Sequence, residues 1–124
     1  MTQRIAGTAD QIRARVPAVL AAYERTRDTV LRAGVVDRAL KETCFAYLAT
    51  CVDEPELAGR SEREQLALRW AQAVTFDSAR ANDALWSRLH ALFTEPELVE
   101  LGCAIGFELG YQHWRRTIGL PARD

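Results

Sequence analysis

The chain has 124 residues, of which 48% are hydrophobic and 27% charged, and its net charge is −1. This length suits a single domain over residues 1–124, with a modest buried core. Because the 16 basic and 17 acidic residues are interspersed, the sequence shows no electrostatic footprint for nucleic acid or for an anionic membrane surface.

Apolar residues recur at helical spacing along the chain, so an all-α fold of four or five helices is predicted. Thr8 and Gln11 have the spacing of a first capping box. Pro17 then suits the first turn of a helix that ends at Gly34. Asp37 is the expected N-cap of the next helix.

The second half of the chain carries three further helix starts. They are Ser61 with Glu64, Asn82 or Ser78, and Thr94 with Glu97. The last helix is expected to end at Gly119. No apolar stretch is long enough for a membrane span and no signal peptide is recognisable, so a cytoplasmic protein is expected.

Three glycines, Gly102, Gly106 and Gly110, share one face of the last predicted helix. Each glycine in a helix interior costs about 1 kcal/mol relative to alanine. This pattern indicates that a neighbour packs close to the backbone, either another helix of the chain or a second subunit. Because apolar residues surround the glycines on nearly all sides, a homo-oligomer is expected.

The chain has three cysteines, Cys44, Cys51 and Cys103. Cys44 and Cys51 lie seven positions apart on a predicted helix, so their Cα atoms are roughly 10 Å apart. A disulfide needs less than about 7 Å, and no metal-ligand spacing surrounds them. All three are therefore expected to pack as small hydrophobic residues, with no redox or metal role.

Several stretches resemble one known family. GVVDRALKE at residues 34–42, SEREQLALRWAQAVT at residues 61–75 and LFTEPELVELGCAIG at residues 92–106 are similar to segments of the carboxymuconolactone decarboxylase and alkylhydroperoxidase D superfamily. The resemblance covers about residues 34–120. It implies an all-helical domain that assembles into dimers, trimers or hexamers.

The redox signature of that family is missing from this chain. Lys41 and Glu42 match its Lys-Glu pair, which places Glu42 at the proton-relay glutamate. Where the two cysteines of its C-x-x-C motif are expected, this chain has Glu54 and Leu57. Without a neighbouring resolving sulfur, dithiol peroxidase chemistry is not expected.

Glu42 is the candidate catalytic residue. Its predicted helix places it beside Phe45 and Ala46, where apolar surroundings would raise the pKa of the carboxyl and suit it to acid–base work. The alternative is a glutamate that is solvated or paired with arginine near the helix start, where the helix dipole favours it.

A polar and aromatic group near the end of the last helix is the candidate substrate-binding site. Tyr111, His113 and Arg115 could line a pocket mouth and bind an anionic ligand through the arginine. The alternative is structural, because Arg115 and Arg116 also suit a helix C-terminus and Trp114 suits a core.

Three functions stay open at this point. The first is an acid–base enzyme that acts on a small organic acid or lactone-like substrate between helices. The second is a non-catalytic helical scaffold or small-molecule binding protein, and the third is a residual thiol enzyme that uses Cys51. No phosphate-binding loop or metal-ligand spacing is present, so no cofactor is expected.

Overall fold

The computed structural model describes residues 2–124 and contains six α-helices in that part of the chain. They are α1 (Ala9–Arg13), α2 (Pro17–Thr26), α3 (Arg38–Thr50), α4 (Glu62–Phe76), α5 (Asp83–Leu92) and α6 (Glu95–Thr117). One π-helical turn, Arg27–Leu31, extends α2, and a 3-10 turn, Ser78–Arg80, links α4 to α5. Residues 2–124 contain no strand, so the all-α prediction is confirmed.

The N-terminal capping signals of the sequence are used as predicted, whereas the helix that was predicted to end at Gly34 ends with the π turn at Leu31. Reciprocal capping boxes join Thr8 to Gln11, Ser61 to Glu64 and Thr94 to Glu97. Of the two candidate caps of α5, Asn82 accepts a hydrogen bond from the Leu85 amide. The first predicted helical region is split into α1 and α2 because Val16, which precedes Pro17, is extended, as a residue before proline favours.

The hydrophobic core lies between three helices. α3 packs against α4 and α6, α4 also contacts α5 and α6, and the π turn after α2 lies on α6. Their contact is filled by residues that are at most 1% exposed: Cys44, Phe45, Leu66, Leu89, Leu101, Ala104 and Ile105. Within residues 2–124, no helix combines the length and the apolar character that crossing a membrane requires.

A buried ion pair joins the first turn of α3 to the second turn of α6. Lys41, whose side chain has no exposed surface, lies 3.0 Å from a carboxylate oxygen of Glu100. Its Nζ also donates to the carbonyls of Val30 and Ala33, each at 2.6 Å. These bonds tie the π turn and the loop after it to α3, and the ion pair ties α3 to α6.

The three glycines of α6 have different surroundings. A Cβ on Gly102 would lie 2.8 Å from the Trp70 ring, so the predicted close approach is confirmed there. A Cβ on Gly106 or Gly110 would have no neighbour within 4 Å. These two glycines lie on an outward face of α6, together with Val99, Cys103 and Phe107.

The packing prediction for the cysteines is right only for Cys44, which is fully buried. Burial raises the pKa of the Cys44 thiol to about 12. The prediction is wrong for Cys51 and Cys103, which are exposed. Because α3 ends at Thr50, Cys51 forms its left-handed C-cap (φ 57°) and leaves the apolar stripe, whereas Cys103 lies on the outward face of α6.

Candidate functional site

A cleft of about 250 Å³ lies where the π turn, α3, α6 and the C-terminal residues meet. Six arginines line it: Arg13, Arg27, Arg32, Arg38, Arg115 and Arg123. Three carboxylates, Glu42, Glu108 and Asp124, and three rings, Tyr23, Phe45 and Tyr111, complete most of the wall. We call this feature the arginine cleft. Its lining carries an excess of positive charge, although the whole chain is close to neutral.

Arg13 is held in the arginine cleft by aromatic rings. Its side chain is only 4% exposed, and its guanidinium lies 3.6 Å from the centre of the Tyr23 ring and 4.8 Å from that of Trp114. One nitrogen also pairs with Asp10 at 3.0 Å. Stacking on rings leaves the edge of a guanidinium free to donate hydrogen bonds. The Arg13 cation is therefore held in place and can still donate to a ligand.

Arg115 binds the C-terminal residues of the chain. Its side chain is 10% exposed, its Nε donates to the Pro121 carbonyl at 2.7 Å, and its Nη2 donates to Asp124 at 2.5 Å. The hydrogen bond from Arg115 holds the pKa of the Asp124 carboxyl below its usual value. The cleft therefore stabilises a carboxylate in its charged form.

Arg123 closes the opposite side of the cleft. Its Nη2 donates to Glu42 at 2.5 Å, and its Nε lies 3.6 Å from a Glu108 oxygen. Glu108 is itself oriented by Gln112, which is 1% exposed and donates to it at 3.2 Å. Arg123 thus bridges α3 and α6 across the cleft.

The structure brings three of the four predicted site residues together. Glu42, Tyr111 and Arg115 line the arginine cleft, whereas His113 is exposed and is not part of its lining. The Glu42 side chain is 38% exposed and paired with Arg123, so its surroundings are not the apolar ones expected from the sequence. This is the arginine-paired alternative that the sequence left open.

A second cleft, of about 640 Å³ and with a more apolar wall, lies between α3 and the loop that follows it. Its lining includes Glu42, Ala46, Tyr47, Val52 and Pro55. Glu42 is the residue common to the two clefts. Glu42 therefore contributes to the walls of both a basic and a more apolar cleft, and its carboxylate is paired with Arg123.

The sequence did not point to Arg13, Tyr23, Arg123 or Asp124 as site residues. All four lie outside the stretch that resembles a known family. The available signal was compositional, because all basic residues except Lys41 are arginine. Composition does not indicate which arginines lie close together in space, because that depends on how the helices pack.

No group of three or more His, Cys, Asp or Glu side chains in residues 2–124 is arranged to hold a metal ion. No protein-family model, curated protein or solved structure matches this chain. The fold and the site define a class, an all-α protein with an arginine-lined cleft. Membership of the carboxymuconolactone decarboxylase superfamily stays a prediction. The chemistry of the site therefore follows from its own residues.

Proposed function

We propose that this protein binds a small organic anion in the arginine cleft. The observation that carries the proposal is the gathering of six arginines against three carboxylates around one small cavity. Two of those arginines, Arg13 and Arg115, have side chains that are at most 10% exposed. Each of these two already has a carboxylate partner, Asp10 or Asp124, but the lining as a whole has more arginines than carboxylates, and this excess favours a negatively charged ligand.

The aromatic part of the lining supports a ligand with an organic body. Tyr23 and Tyr111 meet edge to face, with ring centres 4.9 Å apart, and both line the cleft. Pockets for organic ligands combine such apolar surfaces with a few well-placed polar groups that fix orientation. An inorganic anion would have no apolar body to pack against these rings.

Titration calorimetry tests the proposal with succinate, benzoate and inorganic phosphate, and with succinamide as an uncharged control. We expect binding of an organic anion with a dissociation constant of roughly 1 mM or tighter, and no binding of succinamide. Arg115→Met and Arg38→Met should each weaken binding. Arg38 lines the cleft but is exposed, so its replacement should not disturb folding.

Arg88→Met is the matched control, because Arg88 is 58% exposed, pairs with Glu62 and does not line the cleft. The proposal fails if none of the anions binds. It also fails if the Arg88 variant weakens binding as much as the two cleft variants do.

A second candidate is an acid–base enzyme with Glu42 as the proton-transferring group, on a small organic acid or lactone-like substrate. The position of Glu42 on the walls of both clefts favours it. The measurement is proton uptake or release on binding, obtained by calorimetry in buffers of different ionisation enthalpy. Glu42→Gln should abolish that proton exchange while binding persists, and unchanged proton exchange in the variant would remove the enzyme candidate.

We also propose that the protein is a homo-oligomer and works in the cytoplasm. The outward face of α6, formed by Val99, Cys103, Gly106, Phe107 and Gly110, supports self-association. Val99 is 68% exposed and Phe107 is 44% exposed, which is unfavourable for a helix face left in water. The glycines beside them leave room for a second backbone.

A further inference from the structure

The C-terminal residues 121–124, which we call the C-terminal strap, lie along the arginine cleft. Two strap oxygens, the Pro121 carbonyl and Asp124 Oδ1, accept from Nε and Nη2 of Arg115. These two nitrogens form one edge of the guanidinium, which is the edge that a single carboxylate binds with both of its oxygens. The strap therefore fills a carboxylate-binding position with oxygens from two different groups.

We propose that the ligand of the arginine cleft carries a carboxylate that binds this edge of Arg115, in place of the Pro121 carbonyl and the Asp124 side chain. The inference rests on the proposed function and names the acid group, its position and the segment that must move. A carboxylate with both oxygens on the guanidinium makes two charge-assisted hydrogen bonds, whereas the strap supplies one charged and one neutral acceptor.

The Asp124 end of the strap is held weakly enough to be displaced, while Arg123 keeps its ion pairs with Glu42 and Glu108. The Asp124 side chain is 93% exposed, and such ion pairs contribute little because water and salt screen them. Arg13, which is almost fully buried, lowers the pKa of Asp124 through its charge and so also attracts an anion at this position. An incoming carboxylate meets both cations after the Asp124 end of the strap leaves.

While the strap occupies Arg115, the ligand cannot bind there. The apparent affinity is therefore the intrinsic affinity multiplied by the fraction of molecules in which Arg115 is free of the strap. Asp124→Asn keeps the shape of the side chain but removes its charge, which weakens its bond to Arg115. We expect this variant to bind succinate about tenfold more tightly than the unaltered protein. The full chain is used throughout, and binding is measured by titration calorimetry.

Glu62→Gln is the matched control, because it removes one negative charge from an exposed ion pair outside the cleft. It should change the affinity for succinate less than twofold. If Asp124→Asn and Glu62→Gln bind succinate equally well, the strap does not compete and the inference is wrong, while the proposed function stands. If neither variant nor the unaltered protein binds any anion, the proposed function fails and the inference fails with it.

Nuclear magnetic resonance provides a second test, because it reports on the position of the strap itself. A general change in charge could alter the affinity without moving the strap. Saturating succinate should shift the Asp124 backbone amide toward its random-coil position, because the Asp124 end of the strap has left Arg115. An Asp124 amide that does not respond while succinate binds would overturn the displacement. Tighter binding of inorganic phosphate than of succinate would overturn the assignment to a carboxylate.

Discussion

Among single residues, Glu100 has a large expected effect on stability. It is the partner of Lys41, which has no exposed surface, and it also accepts hydrogen bonds from the Val35 and Val36 amides. Glu100→Gln leaves the lysine charge buried without its counter-ion, so the free energy of unfolding should fall by about 3 kcal/mol at pH 7. Urea denaturation measures this change, with Glu62→Gln as a surface control that should stay within about 0.5 kcal/mol.

The same residue makes the stability of the protein depend on pH. Burial alone would raise the pKa of Glu100, but the hydrogen bonds from Val36 and Lys41 outweigh it, and the pKa is lowered. A lowered pKa in the folded state contributes stability above the unfolded value, and this contribution is lost as the pH falls through the folded value.

The unaltered protein should therefore lose more stability than Glu100→Gln as the pH is lowered from about 5 toward 3. The measurement is the free energy of unfolding of both proteins over this range. Parallel pH profiles would show that Glu100 does not contribute to acid unfolding.

The three thiols should differ sharply in reactivity. Cys51 and Cys103 are exposed, whereas Cys44 is buried and its pKa is raised to about 12. A thiol reagent at pH 8 should label Cys51 in the native protein and all three cysteines after unfolding, because the thiolate is the reacting form. Cys103 should react in the monomer and be protected in an assembly that covers the outward face of α6. Consumption of hydroperoxide by Cys51 would support the thiol-enzyme hypothesis, whereas native labelling of Cys44 would contradict its burial.

At the scale of an element, α6 offers a matched pair of glycine substitutions. Gly102→Ala places a methyl group against the Trp70 ring, so it should lower the free energy of unfolding by about 1 kcal/mol or more despite the better helix propensity of alanine. Gly106→Ala meets no atom of its own chain and should raise the stability of the protomer by about 1 kcal/mol.

Gly106→Ala should weaken self-association, although it stabilises the protomer. If the outward face of α6 joins two subunits, a methyl group there weakens the assembly, which sedimentation velocity detects as a shift toward the monomer. A protein that is monomeric before the substitution, or an assembly that both variants leave unchanged, would contradict a subunit contact through this face.

The helix boundaries were predictable because they depend on neighbours in sequence. Thr8, Ser61 and Thr94 cap their helices through contacts three residues away, and the spacing alone indicates this. The surroundings of the α6 glycines were not predictable in the same way. Whether Gly102 or Gly106 has a neighbour depends on where Trp70 of α4 lies, which is a tertiary contact.

At the scale of the whole molecule, the arginine cleft joins parts of the chain that are distant in sequence. Arg13 comes from α1, Glu42 from α3, Arg115 from α6 and Asp124 from the C-terminal strap. Residues on one helix, such as Tyr111 and Arg115, could be grouped from their spacing alone. The other cations could not, because only packing of the π turn and the chain ends against α6 brings them to the same cavity.

The most direct test of the central claim is to follow the arginine Nε–H resonances of the full chain by nuclear magnetic resonance during a titration with succinate. The Arg115 and Arg13 signals should shift saturably, with no shift for Arg88, which lies outside the arginine cleft. If the Arg115 and Arg13 signals do not move, or move no more than that of Arg88, the cleft does not bind organic anions.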